Sequence, residues 1–234
     1  MDPSAFKLQP IRLINMSVFL YYGQGRAMLV DAGPRRSEKQ ILAVMNKLGL
    51  EPSSLDLLVL THTHYDHAGA AAALKAATGC RILVHRAEAE RLKAGRTPFP
   101  RGTRWKARVL VTLGRIFATG LLKFPPVLPD LLSDASFDLG ALGFPARVIH
   151  TPGHSPGSQV VLTAGKELLA GDSLFGLEGK KHFPPFAEDA KTLARSWQVI
   201  RELDATRLYP AHGRSFTRDS FLDEYQAAVE SYGA

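Results

Sequence analysis

Three histidines and an aspartate crowd into the stretch Thr61-His62-Thr63-His64-Tyr65-Asp66-His67. Imidazole nitrogens and carboxylate oxygens are good donors to zinc, iron and manganese. The stretch follows an apolar run of strand length, Leu55 to Leu60. A strand end fixes the backbone, and the loop after it lets alternate side chains converge. On this reading His62 and His64 face one metal ion, and Asp66 and His67 face a second. The bland alternative is a patch of surface histidines, against which the specific spacing H-x-H-x-D-H argues. Two cations close together lower the pKa of a shared water, so hydroxide exists near neutral pH. That hydroxide can attack a carbonyl or a phosphoryl centre, with no serine or cysteine nucleophile.

The segment His62 to His67 resembles the signature of the metallo-β-lactamase superfamily, and later segments are similar to the rest of that pattern, in order. Thr151-Pro152-Gly153-His154-Ser155-Pro156-Gly157 resembles the loop that supplies a third histidine to the first metal. Gly171-Asp172-Ser173 resembles the strand end whose aspartate bridges both metals, and Pro210-Ala211-His212-Gly213 the loop giving the last histidine of the second. Val30-Asp31-Ala32-Gly33 resembles an early strand end whose aspartate supports the site from behind its ligands. The resemblance implies an α/β fold, a four-layer αββα sandwich with the site at one edge of two sheets. It implies His62, His64 and His154 on one ion, Asp66, His67 and His212 on the other, and Asp172 between them. The implied cofactors are two divalent ions, zinc first, with iron or manganese as alternatives. Asp66 and Asp172 are then the catalytic carboxylates, offsetting metal charge and orienting the attacking water. Asp31 is expected to hydrogen-bond a histidine ligand and fix its tautomer.

Tyr65 lies inside the motif, where it can donate to an oxyanion or simply pack. His182, Phe183 and Phe186, in the loop after Asp172, are candidate substrate contacts. His85 and His150 read as structural histidines, and Cys80, beside the apolar run Ile82 to Val84, as a buried hydrophobe.

These residues need a scaffold of strands and covering helices. Lys7 to Ile14, Ser17 to Tyr22 and Ala27 to Val30 are rich in β-formers. Ser37 and Gln40 have capping-box spacing, and Ile41, Val44, Met45 and Leu48 fall on one helical face ending at Gly49. Ala68 to Ala77 reads as a helix and Arg81 to Val84 as a strand. Further strands are expected at Arg147 to Ile149, Gln159 to Leu162, Glu167 to Ala170 and Thr206 to Tyr209. Leu193, Trp197 and Ile200 mark a helix opening near Glu188 and Asp189, and Phe221, Leu222, Tyr225 and Val229 line a final one. A single domain over 1–234, with a basic and apolar helical insertion at about 86–134, is the simplest organisation.

The composition, 45% apolar and 22% charged, is that of a globular protein rather than a disordered one. No stretch reaches the roughly 18 apolar residues of a membrane span. The first residues do not look like a secretory signal, so a cytoplasmic location is expected. The net charge of +7 attracts anions, though solubility alone also accounts for it. By resemblance the chain falls among compact hydrolases of esters, thioesters and lactones. The long helical C-terminal domain of glyoxalase II enzymes has no counterpart in the short stretch after His212. A phosphodiesterase acting on nucleotide or nucleic acid is the second reading, with nucleic acid disfavoured as a partner. A non-catalytic lipid- or partner-binding module is the third. The apolar run Val109 to Leu122 fits a lid over an acyl chain, packing on the core or in a homodimer, or peripheral membrane contact through 104–124.

Overall fold

The computed structural model describes residues 2–98, 102–103, 122–177 and 182–232. Two six-stranded sheets face each other among these residues. The first runs in sequence order: β1 (Lys7–Arg12), β2 (Ser17–Gly23), β3 (Arg26–Val30), β4 (Leu55–Val59), β5 (Arg81–His85) and β6 (Leu131–Ser133). Its first three strands pair antiparallel, and β3 to β6 pair parallel. Parallel neighbours need crossovers. Helix α1 (Glu38–Lys47) connects β3 to β4; a short α2 (Tyr65–Ala68) and α3 (Ala71–Thr78) connect β4 to β5. The second sheet has β7 (Ser136–Asp138), β8 (Ala146–His150), β9 (Gln159–Thr163), β10 (Glu167–Gly171), β11 (Arg207–Pro210) and β12 (Phe216–Thr217). Only β10 and β11 pair parallel in it, joined through a helix spanning Ala190–Glu202, here α5. Helix α4 covers Ala89–Ala94, and α6, Arg218–Tyr232, closes the described chain.

Strand alternation divides the apolar residues among three cores. Phe19, Met28, Val30, Leu57, Val59 and Leu83 point inward from the first sheet to meet Val148, Val161 and Leu169 of the second. The opposite face of the first sheet, with Leu20, Leu29, Leu58 and Ile82, packs on Ile41 and Met45 of α1 and Leu74 of α3. The outer face of the second sheet packs Val160, Leu168 and Ala170 against Leu193, Trp197 and Ile200 of α5 and Phe221 of α6. The result is the four-layer αββα sandwich. Truncating a central residue such as Leu57, fully buried, to alanine costs about 2–5 kcal/mol.

Several local expectations are revised. Ser37 precedes α1 but is itself helical in conformation (φ −71°, ψ −20°) and makes no capping bond. Gln40 instead donates to the Arg12 carbonyl at 2.8 Å, tying α1 to β1. The helix expected over Ala68 to Ala77 is two pieces, and the first begins inside the histidine motif. Within 86–134, β6 is an edge strand of the first sheet. Residues 99–101 and 104–121 of that segment, including all but the last residue of Val109 to Leu122, lie outside the described residues.

Candidate metal centre

The ends of β3, β4, β10 and β11 and the β8–β9 loop meet at one edge of the sandwich. Parallel pairing aligns the carboxyl ends of β3 and β4, and of β10 and β11, so the residues that follow each strand emerge together. Asp31 follows β3, His62 to His67 follow β4, Asp172 follows β10 and His212 follows β11. The turn of α2 brings Asp66 and His67 around behind His62 and His64. Gly171 permits the close approach of these strands: its φ is +50°, and a Cβ there would lie 2.5 Å from the Thr61 hydroxyl oxygen. β-Branched or larger side chains have no place at that position.

The donors fall into two adjacent groups, His62, His64, His154 and Asp172, and Asp66, His67 and His212. In the first, Nδ1 of His64 lies 3.0 Å from Nε2 of both His62 and His154. Asp172 stands between the groups. Its Oδ2 is 3.3 Å from His154 Nε2, while its Oδ1 is 3.3 Å from His67 Nε2 and 3.5 Å from His212 Nε2. Asp66 Oδ2 is 3.4 Å from His212 Nε2.

The far nitrogen of most of these imidazoles is held by a fixed partner, which aims the near one into the site. Asp31 Oδ2 lies 2.8 Å from His67 Nδ1, while its Oδ1 accepts from the Thr61 backbone N–H at 2.8 Å. His154 Nδ1 donates to the Phe186 carbonyl and His212 Nδ1 to the Asn15 carbonyl, both at 2.9 Å. His62 Nδ1 is 3.1 Å from the Thr61 hydroxyl.

Burial sets the protonation of the first group. It pushes His62 well below the usual histidine range, with the neighbouring His67 adding to the effect. Burial and His154 take His64 down to about 3, and burial lowers His154 too. Their lone pairs are therefore free at neutral pH. In the second group burial also opposes charge, but carboxylates outweigh it. Asp31 and Asp172 raise His67 well above its ordinary value, and Asp172 and Asp66 push His212 up to about 9. Burial would raise Asp172 and Asp66, yet the facing histidines hold both below the usual carboxylate range.

The donor set suits a divalent cation. His67 Nε2 and Asp172 Oδ1 are both buried without an aligned hydrogen-bond partner. Such an orphaned atom costs about 1–3 kcal/mol, and coordination satisfies both. Imidazoles with carboxylates are also the donors that zinc, iron and manganese favour.

The remaining candidates separate. Tyr65 is 38% exposed beside Asp66, and burial of part of its ring raises its phenol pKa. Phe186 sits next to the site through its carbonyl. His182 and Phe183 are engaged within the fold. His182 is stacked on Phe216 at 3.6 Å, its Nδ1 on the Phe175 carbonyl and its Nε2 on the Ser220 hydroxyl. Phe183 stacks on Tyr232 at 4.3 Å, inside the second outer core. Both belong to the packing between the loop and α6. His85 and His150 stack on each other at 3.9 Å. Thr61, Glu88 and the carbonyls of Asn15 and Phe186 escape sequence reasoning. Backbone oxygens carry no side-chain signal, and nothing in the residues Arg86 to Arg91 marks a distant partner for Glu88.

A family model described as the metallo-beta-lactamase superfamily matches residues 12–212. A beta-lactamase-like protein 2 homolog of Drosophila melanogaster is 26% identical over 219 residues, covering 91% of this chain but 61% of the relative. The chain thus spans less than two thirds of that protein's length. A hydroxyacylglutathione hydrolase of Anaeromyxobacter dehalogenans is 31% identical over 67% of this chain and 45% of its own. An N-acyl homoserine lactonase of a Bacillus species is 28% identical over 68% of this chain and 54% of its own. Among solved structures, a metallo-beta-lactamase of Cronobacter sakazakii with a HARLDQ motif superposes with a TM-score of 0.70 at 21% identity. It covers 97% of this chain and 90% of that one, a likeness of fold.

Proposed function

This chain belongs to the metallo-beta-lactamase superfamily, and from that premise we propose that it is a dinuclear metal-dependent hydrolase of carbonyl esters, thioesters or lactones. The observation that carries the reading is the division of Asp172 between two donor groups, Oδ2 toward His154 and Oδ1 toward His67 and His212. His62, His64 and His154 would hold one ion, Asp66, His67 and His212 the other, and Asp172 both. Zinc is the ion proposed, on the strength of the imidazole-rich donors. Such ions supply Lewis acidity toward a carbonyl oxygen and acidify water at neutral pH.

The chain's own residues do the rest. Asp66, whose side chain is 23% exposed, is the carboxylate that substrate and water can reach, so it orients the attacking water and accepts its proton. Tyr65 is a phenol, protonated at neutral pH, and partial burial and Asp66 raise its pKa further. Its phenol can donate a hydrogen bond to a developing oxyanion. Asp31 holds His67 in one tautomer. Relatives named for thioester and lactone hydrolysis support a carbonyl substrate.

The test is turnover by the zinc- and manganese-loaded protein of an acyl lactone and a thioester, beside a phosphodiester in the same buffer. Turnover of the carbonyl substrates with a silent phosphodiester is expected. The reverse pattern would overturn the carbonyl reading in favour of phosphoryl chemistry.

A further inference from the structure

Among the charged residues from Arg86 to Arg91 lies a fully buried carboxylate. Glu88 is 0% exposed, and its two oxygens are divided between the two loops that carry the first donor group. Oε2 accepts from Thr63, between His62 and His64, through a short bond from the hydroxyl and a 3.3 Å bond from the backbone N–H. Oε1 accepts from the Gly157 N–H at 3.1 Å, in the loop carrying His154. The loop lies so close that a Cβ on Gly157 would meet Glu88 Cγ at 2.5 Å.

A third tie runs through Arg91. Its Nη1 is 3.6 Å from Glu88 Oε1, and its guanidinium grips Glu188 in two bonds of 2.6 and 3.0 Å. The Glu188 N–H in turn donates to the His154 carbonyl at 3.0 Å. A buried carboxylate is costly unless its partners are well placed. Here the partners are the hydroxyl and N–H of Thr63, between His62 and His64, the N–H of Gly157 in the His154 loop, and Arg91.

We propose that Glu88 is a positioning residue that sets the separation of the His62–His64 loop from the His154 loop, and so the metal affinity of that group alone. The proposal rests on reading His62, His64, His154 and Asp172 as one ligand group. Glutamine at 88 keeps the shape but turns an amide N–H₂ toward one loop's donors, so one loop loses its acceptor. Aspartate keeps the charge but is a methylene too short to span both.

The test is a Zn²⁺ competition titration against a chromophoric chelator, in two backgrounds. His212→Ala leaves the first group intact, and His62→Ala leaves the second. Glu88→Gln should weaken Zn²⁺ binding about 10–100-fold in the His212→Ala background, as loss of a residue supporting metal ligands does. In the His62→Ala background the change should stay within about threefold, the far-UV spectrum unaltered in both. If Glu88→Gln fails to fold, Glu88→Asp carries the same comparison. Equal losses in both backgrounds would make Glu88 a general structural residue and overturn the proposal, as would no loss in either. A wild-type chain that takes up no Zn²⁺ would overturn the metal-group reading and this proposal with it. Normal wild-type uptake with insensitive Glu88 variants would overturn this proposal alone.

Discussion

The two donor groups share a carboxylate but are built on different principles. His62, His64 and His154 are almost fully buried and stay neutral because water cannot reach them. Asp66 and His212 keep side-chain exposures of 23% and 19%, and carboxylates draw protons onto His67 and His212. The first group is preset for a cation, with lone pairs converging at 3.0 Å. The second faces carboxylates that favour charged imidazoles, and Asp66 and His212 leave it partly open. On the proposed function, the buried group would be the fixed anchor and the partly exposed one the working side.

The strongest way to break this division is to remove what the groups share. Asp172→Ala should lower hydrolysis about 100–1000-fold, as loss of a central electrostatic element does, and cut metal content at both groups by elemental analysis. Next, Asp31→Asn should weaken Zn²⁺ binding about 10–100-fold at the second group, because it supports His67. Measured in the His62→Ala background, it is the mirror image of the Glu88 substitution. His182→Ala should leave both groups intact. It removes the stack on Phe216 and the bond to Ser220, costing about 2–4 kcal/mol by denaturant unfolding, while kcat/KM of the folded protein stays within about threefold.

The smallest effect belongs to a site remote from both groups. Burial alone would raise the Asp130 pKa, but bonds from Lys75 and the Ile82 N–H lower it below 3.8. A lowered folded-state pKa gives stability that is present above the unfolded value and lost as pH falls through the folded one. Asp130→Asn should therefore cost less than about 1 kcal/mol at pH 7, since the pair is partly exposed. The gap from wild type should close in acid unfolding curves as the pH falls through Asp130's lowered folded-state pKa. Metal uptake should not change.

The sequence was readable where chemistry and periodicity lie in side chains. H-x-H-x-D-H marks side chains that the fold brings together, and the β-rich runs before Asp31, His62 and Asp172 mark three of the strands that end at this edge. Other parts were illegible for physical reasons. The carbonyls of Asn15 and Phe186 orient His212 and His154, and any residue type supplies a carbonyl. The strands at Leu131–Ser133, Ser136–Asp138 and Phe216–Thr217 are too short to show alternation; pairing with longer neighbours makes them strands. Ser37 has the right spacing for a cap, but the preceding turn already holds it in a helical conformation. The sequence places His182 in the loop after Asp172, and its contacts with Ser220 of α6 and with Phe216 come only from the fold.

The most direct test of the account is metal stoichiometry and lactone hydrolysis measured together on the wild type, Asp172→Ala and His62→Ala proteins. Two divalent ions per wild-type chain are expected, with metal and activity falling together in both variants. Undiminished hydrolysis by a metal-free wild type, or by Asp172→Ala with its metal content unchanged, would contradict it.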